Sequence, residues 1–571
     1  MAIQGAVRDV IRDSPRVLIN TISGRLLDKY AQAASFESLP IFNRLISSMT
    51  TYIDHTRIEH DVMQYYRYAM FSHTWEANEP LYERVIHIVV YDLEESFTHE
   101  KLQMFCRVVR DAGLHWAWSD TCCINRTDND VLQEALVSMF RWYQCSAMTV
   151  VLLSDVCSPS RRGNLVKSIW NTRAWTLQEY LASKVVRFYN KDWTLYRNLD
   201  IPNHKESPEI ISEMEEATGI SARALMALRP GLDDIREKLC LASTRQTTLV
   251  EDAAYSLFGI FSLSLPVVYG EGDKALGRLF AQLLTSSGNT SVLAWSGKSG
   301  NFNSCLPANI TVFDQLAISH VPRTIPVSEM DGIVAGMRTS GINLTSLTKL
   351  YNKVDELPVP SFVDERMKLP CIAFTLGSLP VSPDGSEFFF RVQTDGLGIV
   401  EISTKEDLSQ MHSLYLVHPW IDFLLDRQPG GNVTETKPEA HKDDLSSLGQ
   451  SASSPDPPSI TSTSTSLRTQ TTRFFSHFGL LFSAWGATQS RDSASPQPPS
   501  LSSQTDKQTR VLQFLARLRQ PFGALLLTPA PDDATAYRRV AAECKITVQV
   551  NEATPAVLDK LVDSVRILDV L

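Results

Sequence analysis

The chain has 571 residues, of which 43% are hydrophobic and 21% charged, with a formal net charge of −10. These values indicate a globular protein of two to four domains, and the acidic balance argues against a protein that neutralises nucleic-acid phosphates. No apolar stretch approaches the roughly 18 residues of a membrane span, and charges throughout the first 17 residues argue against a signal peptide. We therefore expect a cytoplasmic protein with no stable membrane span and no nucleic-acid partner.

The nine cysteines are scattered and odd in number, as in proteins of a reducing compartment. Cys122 and Cys123 are adjacent, within "WAWSDTCCINRTDND" (116–130). No CxxC or HxxxH motif accompanies them, so no metal site is predicted. Neighbouring side chains in extended chain point apart, which disfavours a disulfide between them.

Residues 1–66 are predicted to be an N-terminal helical segment, because apolar side chains recur at helical spacing: Val7, Val10, Ile11, Leu26, Leu27 and Tyr30. The favoured interpretation is a helical cap on the next domain. Binding to a membrane surface is the weaker alternative, because acidic residues share the polar face.

Residues 67–192 alternate between apolar strands and amphipathic helices. The predicted strands are "YAMFS" (68–72), "LHWAWSD" (114–120), "AMTVVLLSD" (147–155) and "KVVRFYN" (184–190). Strands and helices in this alternation predict right-handed βαβ units and a parallel sheet, hence an α/β core.

The polar residues that follow these strands are expected to meet at one edge of the sheet. In open α/β sheets the ligand crevice lies beyond the carboxyl ends of the strands. Here those ends carry three groups of residues: Ser72 to Trp75, Asp120 to Cys123, and Ser154 with Asp155. The cysteine pair is therefore interpreted as part of a loop at the crevice mouth.

The rest of the chain changes character several times. Residues 193–290 are predicted to be a helical extension, and residues 291–426 the first part of a β-rich domain. Residues 427–510 are predicted to be a disordered Ser/Pro/Thr-rich linker, with residues 511–571 completing the β-rich domain. The apolar stretch "RFFSHFGLLFSAWG" (473–486) within the linker either docks on the folded body or binds a partner.

Four segments in order resemble the fungal heterokaryon-incompatibility (HET) domain family. They are "YAMFSHTWE", "WAWSDTCCINRTDNDVLQEALVSMFRWYQCSAMTVVLLSDV", "WNTRAWTLQEYLAS" and "STRQTTLVEDAAYSLFGIFSLSLPVVYGEGDKALGRL". The "DTCCI" loop is similar to the subgroup common in mushroom-forming fungi. Arg126 and Val131 depart from the family pattern at the junction between this loop and the next helix.

The resemblance implies a self/non-self signalling protein of the innate-immunity type, whose activation leads to growth arrest or programmed cell death. It also implies a TIR-like, flavodoxin-like core and protein partners or self-assembly into a homo-oligomer. Some TIR-like domains cleave NAD, so an NAD glycohydrolase is the alternative, with NAD as substrate rather than as a resident cofactor. Neither GxGxxG nor GxxxxGK[ST] is present in the sequence.

Glu179 is the candidate catalytic residue, acting as a general base or holding a ribose hydroxyl, and Glu134 is a weaker candidate. The competing interpretation is a buried ion pair of Arg173 with Glu179 or Asp252. The candidate crevice residues are Ser72, His73, Trp75, Asp120, Cys123, Arg173 and Gln178. Arg245 and Asp252 are interpreted as a strut between the extension and the core.

His73 and Cys123 could pair as imidazole and thiol in a hydrolase, with Asp120 as the orienting group. Structural loop residues are the preferred interpretation for both. Trp75, Trp118 and Trp175 are all predicted to be core or sheet-capping aromatics rather than stacking platforms. Trp75 is the one to test, because it lies on the first crevice loop.

Overall fold

The computed structural model describes residues 2–48, 54–314, 344–376, 388–419 and 501–571, apart from residues 395–396, 409–410, 412, 520–521, 549 and 551–553, together with Gly332 and Ala335. The chain divides into two compact units, residues 1–427 with 509–571, and residues 428–508. The contacts reported below belong to the first unit. The predicted linker up to residue 500 and its apolar stretch 473–486 lie outside the described residues.

Six strands form the first sheet, in the order β2-β1-β4-β3-β5-β6. Strands β3 to β6 pair in parallel, and β1 is antiparallel to both β2 and β4. β3 and β5 are buried along their whole length, as expected for a sheet covered on both faces. The four predicted parallel strands are confirmed. The strands are β1 (Val17–Asn20), β2 (Arg25–Asp28), β3 (Tyr68–His73), β4 (Trp116–Trp118), β5 (Met148–Leu153) and β6 (Val186–Asn190).

The N-terminal segment is only partly helical, which corrects the prediction for residues 1–66. Leu26 and Leu27, predicted as helical, lie in β2, which forms a hairpin with β1. The Asn20 side chain accepts hydrogen bonds from the backbone of Ile22 and Ser23 and shapes the turn. Short apolar runs fit both periods, so spacing alone could not distinguish this hairpin from a helix. The helices here are α1 (Ala2–Arg12), α2 (Lys29–Glu37), α3 (Pro40–Ser48) and α4 (His55–Tyr65).

Helices and loops join the parallel strands and determine where the strand-end residues lie. Ser96 caps α6 by accepting from the His99 amide, and Asp128 caps α7 by accepting from the amides of Asp130 and Val131. The helices are α5 (Tyr82–Val85), α6 (Phe97–Asp111), α7 (Asn129–Cys145), α8 (Asn164–Lys167) and α9 (Ala174–Ala182). Turns of 3₁₀ helix occur at Val90–Asp92, Ile169–Thr172, Tyr196–Asn198, His204–Glu206, Thr290–Leu293 and Ile310–Phe313.

The extension is helical, as predicted, and shares the core of the first sheet. The Glu251 carboxylate accepts from the amides of Gly270 and Gly272 at 2.8 and 3.0 Å, which ties two of its loops together. Its helices are α10 (Pro208–Thr218), α11 (Ala222–Ala227), α12 (Ile235–Ser243), α13 (Asp252–Tyr255), α14 (Phe258–Phe261) and α15 (Lys274–Ser287).

Strands from before and after the predicted linker share one sheet. β11 and β8 pair with strands β12 and β15 from the end of the chain. A separate pair is formed by β9 and β10. The strands are β7 (Ser361–Val363), β8 (Arg366–Thr375), β9 (Phe388–Thr394), β10 (Gly398–Thr404), β11 (Tyr415–His418), β12 (Phe522–Pro529), β13 (Tyr537–Val540), β14 (Ile546–Val548) and β15 (Val565–Val570).

In the described part of the chain, three helices that were not predicted accompany these strands: α16 (Leu344–Asp355), α17 (Leu501–Leu518) and α18 (Pro555–Ser564). α17 begins inside the range predicted as disordered, which corrects that boundary. This helix is stabilised because Leu512, Leu515 and Leu518 bury an apolar face. The residues at its start are polar, so the sequence there does not indicate an amphipathic helix. Side chains alternate along β8: Leu369 and Cys371 face the core of the first sheet, and Ile372 and Phe374 face the helices.

Gly259 tests how the extension joins the core. A Cβ at this position would overlap the Phe140 side chain of α7, so Gly259→Ala should lower the free energy of unfolding by about 1–3 kcal/mol. Gly5→Ala is the matched control, because a Cβ there meets nothing within 4 Å and alanine favours the helix. Equal denaturant midpoints for the two variants would contradict this packing.

Candidate functional site

The carboxyl ends of β3, β4 and β5 meet at one edge, as the strand alternation predicts. Thr74 and Ser154, which follow β3 and β5, are joined by a hydroxyl–hydroxyl hydrogen bond of 3.0 Å. Asp155 accepts from the Ser168 hydroxyl at 2.7 Å and from the Ile169 amide at 2.8 Å. This carboxylate therefore positions the 3₁₀ turn that carries Trp170.

Glu179 of α9 lies at this edge and is hydrogen-bonded to Ser72, whose hydroxyl donates to the carboxyl Oε2. The Trp170 indole N–H donates to the Ser72 oxygen at 2.8 Å, so the single Ser72 proton is directed at Glu179. Both Ser72 and Glu179 are buried. The sequence prediction that Ser72 and Glu179 share a site is consistent with this geometry. Trp170 was not predicted to lie at the site, because nothing in the sequence around it indicates such a role.

Burial raises the pKa of Glu179 to about 8, and the nearby Asp120 charge adds to the increase, while the hydrogen bond from Ser72 and the charge of Arg245 oppose it. The Tyr143 hydroxyl donates to the Phe71 carbonyl at 2.9 Å, so its oxygen is free to accept from a protonated Glu179. At neutral pH Glu179 is therefore mainly a neutral acid.

The predicted ion pair between Arg173 and Glu179 is not formed. Arg173 is half-buried and its guanidinium donates to the Thr248 hydroxyl at 3.2 Å. The cation near Glu179 is Arg245, which donates to the Arg173 carbonyl and to the Thr176 hydroxyl, both at 2.9 Å. Arg245 thus joins the extension to α9. Asp252, the other residue of the predicted strut and the alternative partner of Arg173, accepts from Tyr269 at 2.9 Å. The spacing of residues along α9 does not predict Arg245 as a hydrogen-bond donor, because Arg245 comes from another segment of the chain.

His73 lies between two carboxylates beside this pair. Its Nε2 is 3.4 Å from Asp120 Oδ1, its Nδ1 is 3.9 Å from Glu79 Oε1, and its ring stacks on Phe71 at 4.2 Å. Glu79 also forms an ion pair with Lys101, and the side chains of Glu79, His73 and Lys101 are 3%, 1% and 1% exposed. Glu79 and Lys101 were not predicted, because neither belongs to a recognisable motif.

Trp75 and Arg126 lie on the solvent side of Asp120. The Trp75 indole donates to Asp120 Oδ2 at 2.7 Å, and the Arg126 guanidinium lies 4.3 Å from the centre of the Trp75 ring. Burial would raise the pKa of Asp120, but hydrogen bonding and charge from His73, together with Arg126 and Trp75, outweigh it and hold that pKa below its usual value. Asp120 is therefore a fixed anion at the crevice mouth.

Three other candidates lie apart from Glu179 and Ser72. Gln178 is buried and directs its amide nitrogen at the Met139 sulfur, 3.6 Å away. Glu134 is 44% exposed and pairs with Arg16 at 3.7 Å, so it lies on a solvated helix face. Cys123 is buried, and no hydrogen bond between it and His73 occurs among the described residues.

The Cys122 thiol beside this edge is unsuited to nucleophilic chemistry. Hydrogen bonding to Cys123, burial and the neighbouring acidic groups raise the pKa of the Cys122 thiol well above its usual value. All nine cysteines are free.

In the parts of the chain that the structure describes, no group of three or more His, Cys, Asp or Glu side chains could hold a metal ion. None of the described helices is long and apolar enough to cross a bilayer.

Glu179→Gln tests the neutral-acid assignment. Glutamine can accept from Ser72 and donate to Tyr143, so the variant should be as stable as wild type at pH 5 and more stable at pH 8. Because the folded-state pKa is raised from 4.5 to about 8, wild type binds this proton more tightly when folded. Its stability should fall between these pH values by up to about 1.4 kcal/mol per pH unit, and the variant should lack that slope.

Free energies of unfolding measured across this pH range supply the readout, with Glu134→Gln as the control for loss of an exposed carboxylate. A loss of roughly 3–5 kcal/mol in Glu179→Gln at both pH values would instead identify an ionised Glu179 that Arg245 requires as its counter-charge.

Comparison with known proteins locates a family match over this edge. Residues 68–164 match the family described as "Heterokaryon incompatibility protein (HET)". The chain is also 36% identical over 227 residues to "Vegetative incompatibility protein HET-E-1" of Podospora anserina, an alignment covering 37% of this chain and 16% of the relative's length. No solved structure matches the chain significantly. The crevice strands β3, β4 and β5 thus lie in the segment that matches this family model, and the chain spans only a small part of the length of the relative.

Proposed function

We propose that this protein is a heterokaryon-incompatibility-type signalling protein in a fungus, acting in self/non-self recognition that leads to growth arrest or programmed cell death. The observation that carries the proposal is the family match over residues 68–164, which includes the strand ends of the crevice. The similarity to a protein named for vegetative incompatibility supports the same function. Signalling would proceed through protein partners or self-assembly in the cytoplasm.

The strand order supports a TIR-like, flavodoxin-like core as part of this proposal. Counting only the parallel strands, β4-β3-β5-β6 gives the order 2-1-3-4, which is how a flavodoxin-like sheet begins. The order reverses between β3 and β5, where Thr74 and Ser154 are hydrogen-bonded. Ligands of such sheets bind at this reversal, so we place the signalling-competent crevice there.

Regulated expression of the full chain in a host fungus tests the proposal. Induction should arrest growth, and Glu179→Gln should abolish the arrest if the crevice carboxyl is required, while Glu134→Gln should preserve it. Colony extension and vital staining give the readout, and immunoblots show that each variant accumulates. Normal growth despite accumulation of wild-type protein would contradict the signalling function.

A second candidate function, cleavage of NAD, is favoured by the environment of Glu179. A buried carboxyl with a pKa raised to about 8, hydrogen-bonded to a serine at the carboxyl edge of a sheet, is typical of an active-site group. Ionised Glu179 could bind a ribose hydroxyl in place of Ser72 and stabilise the positive charge that develops on the sugar when the glycosidic bond breaks.

Purified protein incubated with NAD should then release nicotinamide, at a rate that rises from pH 6 to 8 as the Glu179 carboxylate forms. Glu179→Gln should lower the rate by at least about a hundredfold, whereas Glu134→Gln should leave it unchanged. Chromatography of the products gives the rates. Growth arrest without nicotinamide release would retain the signalling proposal and reject the enzymatic one.

A further inference from the structure

One of the protein's own cationic side chains packs on an exposed tryptophan beside a carboxylate at the crevice mouth. The Arg126 guanidinium stacks over the Trp75 ring at 4.3 Å, and its Nη2 lies 3.9 Å from Asp120 Oδ2. The Trp75 indole donates to the same carboxylate at 2.7 Å, so ring and anion are fixed relative to each other. Trp75 is 37% exposed and the Arg126 side chain 43%, so solvent reaches both.

A second carboxylate with aromatic neighbours comes from the helical extension. The Asp252 carboxylate accepts from the Tyr269 hydroxyl at 2.9 Å. Burial raises the pKa of Asp252, and hydrogen bonds from Trp175 and Tyr269 and the positive charge of Arg126 oppose that increase. Arg126 is therefore within electrostatic range of both Asp120 and Asp252. We call the group formed by Trp75, Asp120, Trp175, Asp252 and Tyr269 the cation recess.

The frame of the cation recess is held together without Arg126. Glu251 binds the amides of Gly270 and Gly272, and the Gln133 side chain accepts from the Val267 amide at 2.6 Å, which fixes the loop carrying Tyr269. Arg126 itself makes a stacking contact and a 3.9 Å ion pair, and no hydrogen bond of its guanidinium is present among the described residues. Its departure would therefore cost little and leave an ordered aromatic and acidic site.

We propose that the cation recess is a binding site for an organic cation with delocalised charge, and that Arg126 occupies it until such a ligand displaces it. Aromatic faces attract guanidinium, quaternary ammonium and pyridinium groups through the ring quadrupole, and the two carboxylates supply the opposite charge. Neutral and anionic ligands gain neither the attraction to the aromatic faces nor the attraction to the two carboxylates. The inference does not rest on the proposed function, since it concerns binding alone.

This ligand chemistry has two sources: an arginine side chain of a partner protein, or a small molecule that carries an aromatic cation. Both sources present a planar group with delocalised positive charge. In the arginine side chain this group is a guanidinium, and in the small molecule it is an aromatic ring. Methylguanidinium and N-methylnicotinamide are the corresponding probes, and sodium chloride at equal ionic strength corrects for screening.

The test is binding to the full-length Arg126→Ala protein, which vacates the recess at a partly exposed position. Calorimetry or tryptophan fluorescence should show saturable binding of one probe, at least about tenfold tighter than to wild type, where Arg126 competes for the same site. Adding Trp75→Ala to this variant should weaken binding roughly two- to thirtyfold, as loss of one cation–π contact would. Arg84→Ala, which removes an exposed arginine paired with Glu94, should behave as wild type.

Tighter binding of methylguanidinium identifies an arginine-like ligand, and tighter binding of N-methylnicotinamide identifies an aromatic cation; either supports the proposal. No saturable binding of either probe to Arg126→Ala, or equal affinity with and without Trp75, overturns it. Should Arg126→Ala be misfolded by circular dichroism, Arg126→Gln retains the length of the side chain without its charge and serves in the same titration. The tests of growth arrest and nicotinamide release do not depend on this binding, so a failure of both probes to bind would overturn this inference alone.

Discussion

The burial of ionisable groups at the carboxyl edge of the first sheet is the constraint on which the site depends. A charge removed from water is costly unless another group compensates it. Lys101 of α6 compensates Glu79, and Asp120 after β4 lies beside His73 of β3. Among the described residues Glu179 of α9 has no ion-pair partner at comparable distance, and it avoids the cost by remaining protonated. Each partner comes from a different element, so this edge can be dry only when those elements are assembled.

The helical extension is for the same reason part of the site. Arg245 is buried, and its Nη1 donates to the carbonyl of Arg173 and the hydroxyl of Thr176 at the start of α9, so α9 and the extension stabilise each other's position. Asp155 performs a comparable role on the other side by holding the turn that carries Trp170. Movement of either segment would change the number of donors around Glu179 and hence its pKa, which links the state of this carboxyl to the packing of the surrounding helices.

The sequence was sufficient for the parallel strands, because β3 and β5 are continuous apolar runs and the loops after them are polar. The prediction that Ser72 and Glu179 share a site agrees with their hydrogen bond, but a functional role for them stays a prediction. It did not reveal that Trp170 and Tyr143 surround Glu179, because both look like ordinary core aromatics until their polar atoms have partners. The β1–β2 hairpin and α17 were missed because short apolar runs and polar helix starts carry ambiguous periodicity. The Arg173 assignment failed because helical spacing does not determine which cation approaches from another segment.

The family match and the site do not have the same extent, and this has a physical consequence. Residues 68–164 contribute Ser72, His73 and Asp120, but Trp170, Glu179 and Arg245 come later in the chain. Without them, the buried Ser72 hydroxyl would lack both its donor, Trp170, and its acceptor, Glu179, and Asp120 would face the crevice without the acid whose ionisation its charge disfavours. A hydroxyl left unpaired in a water-excluded position destabilises the fold by about 1–3 kcal/mol. The matched segment therefore supplies Ser72, whereas the hydrogen-bond partners of Ser72 come from later in the chain. The chemistry of this edge depends on the α/β core and its extension together.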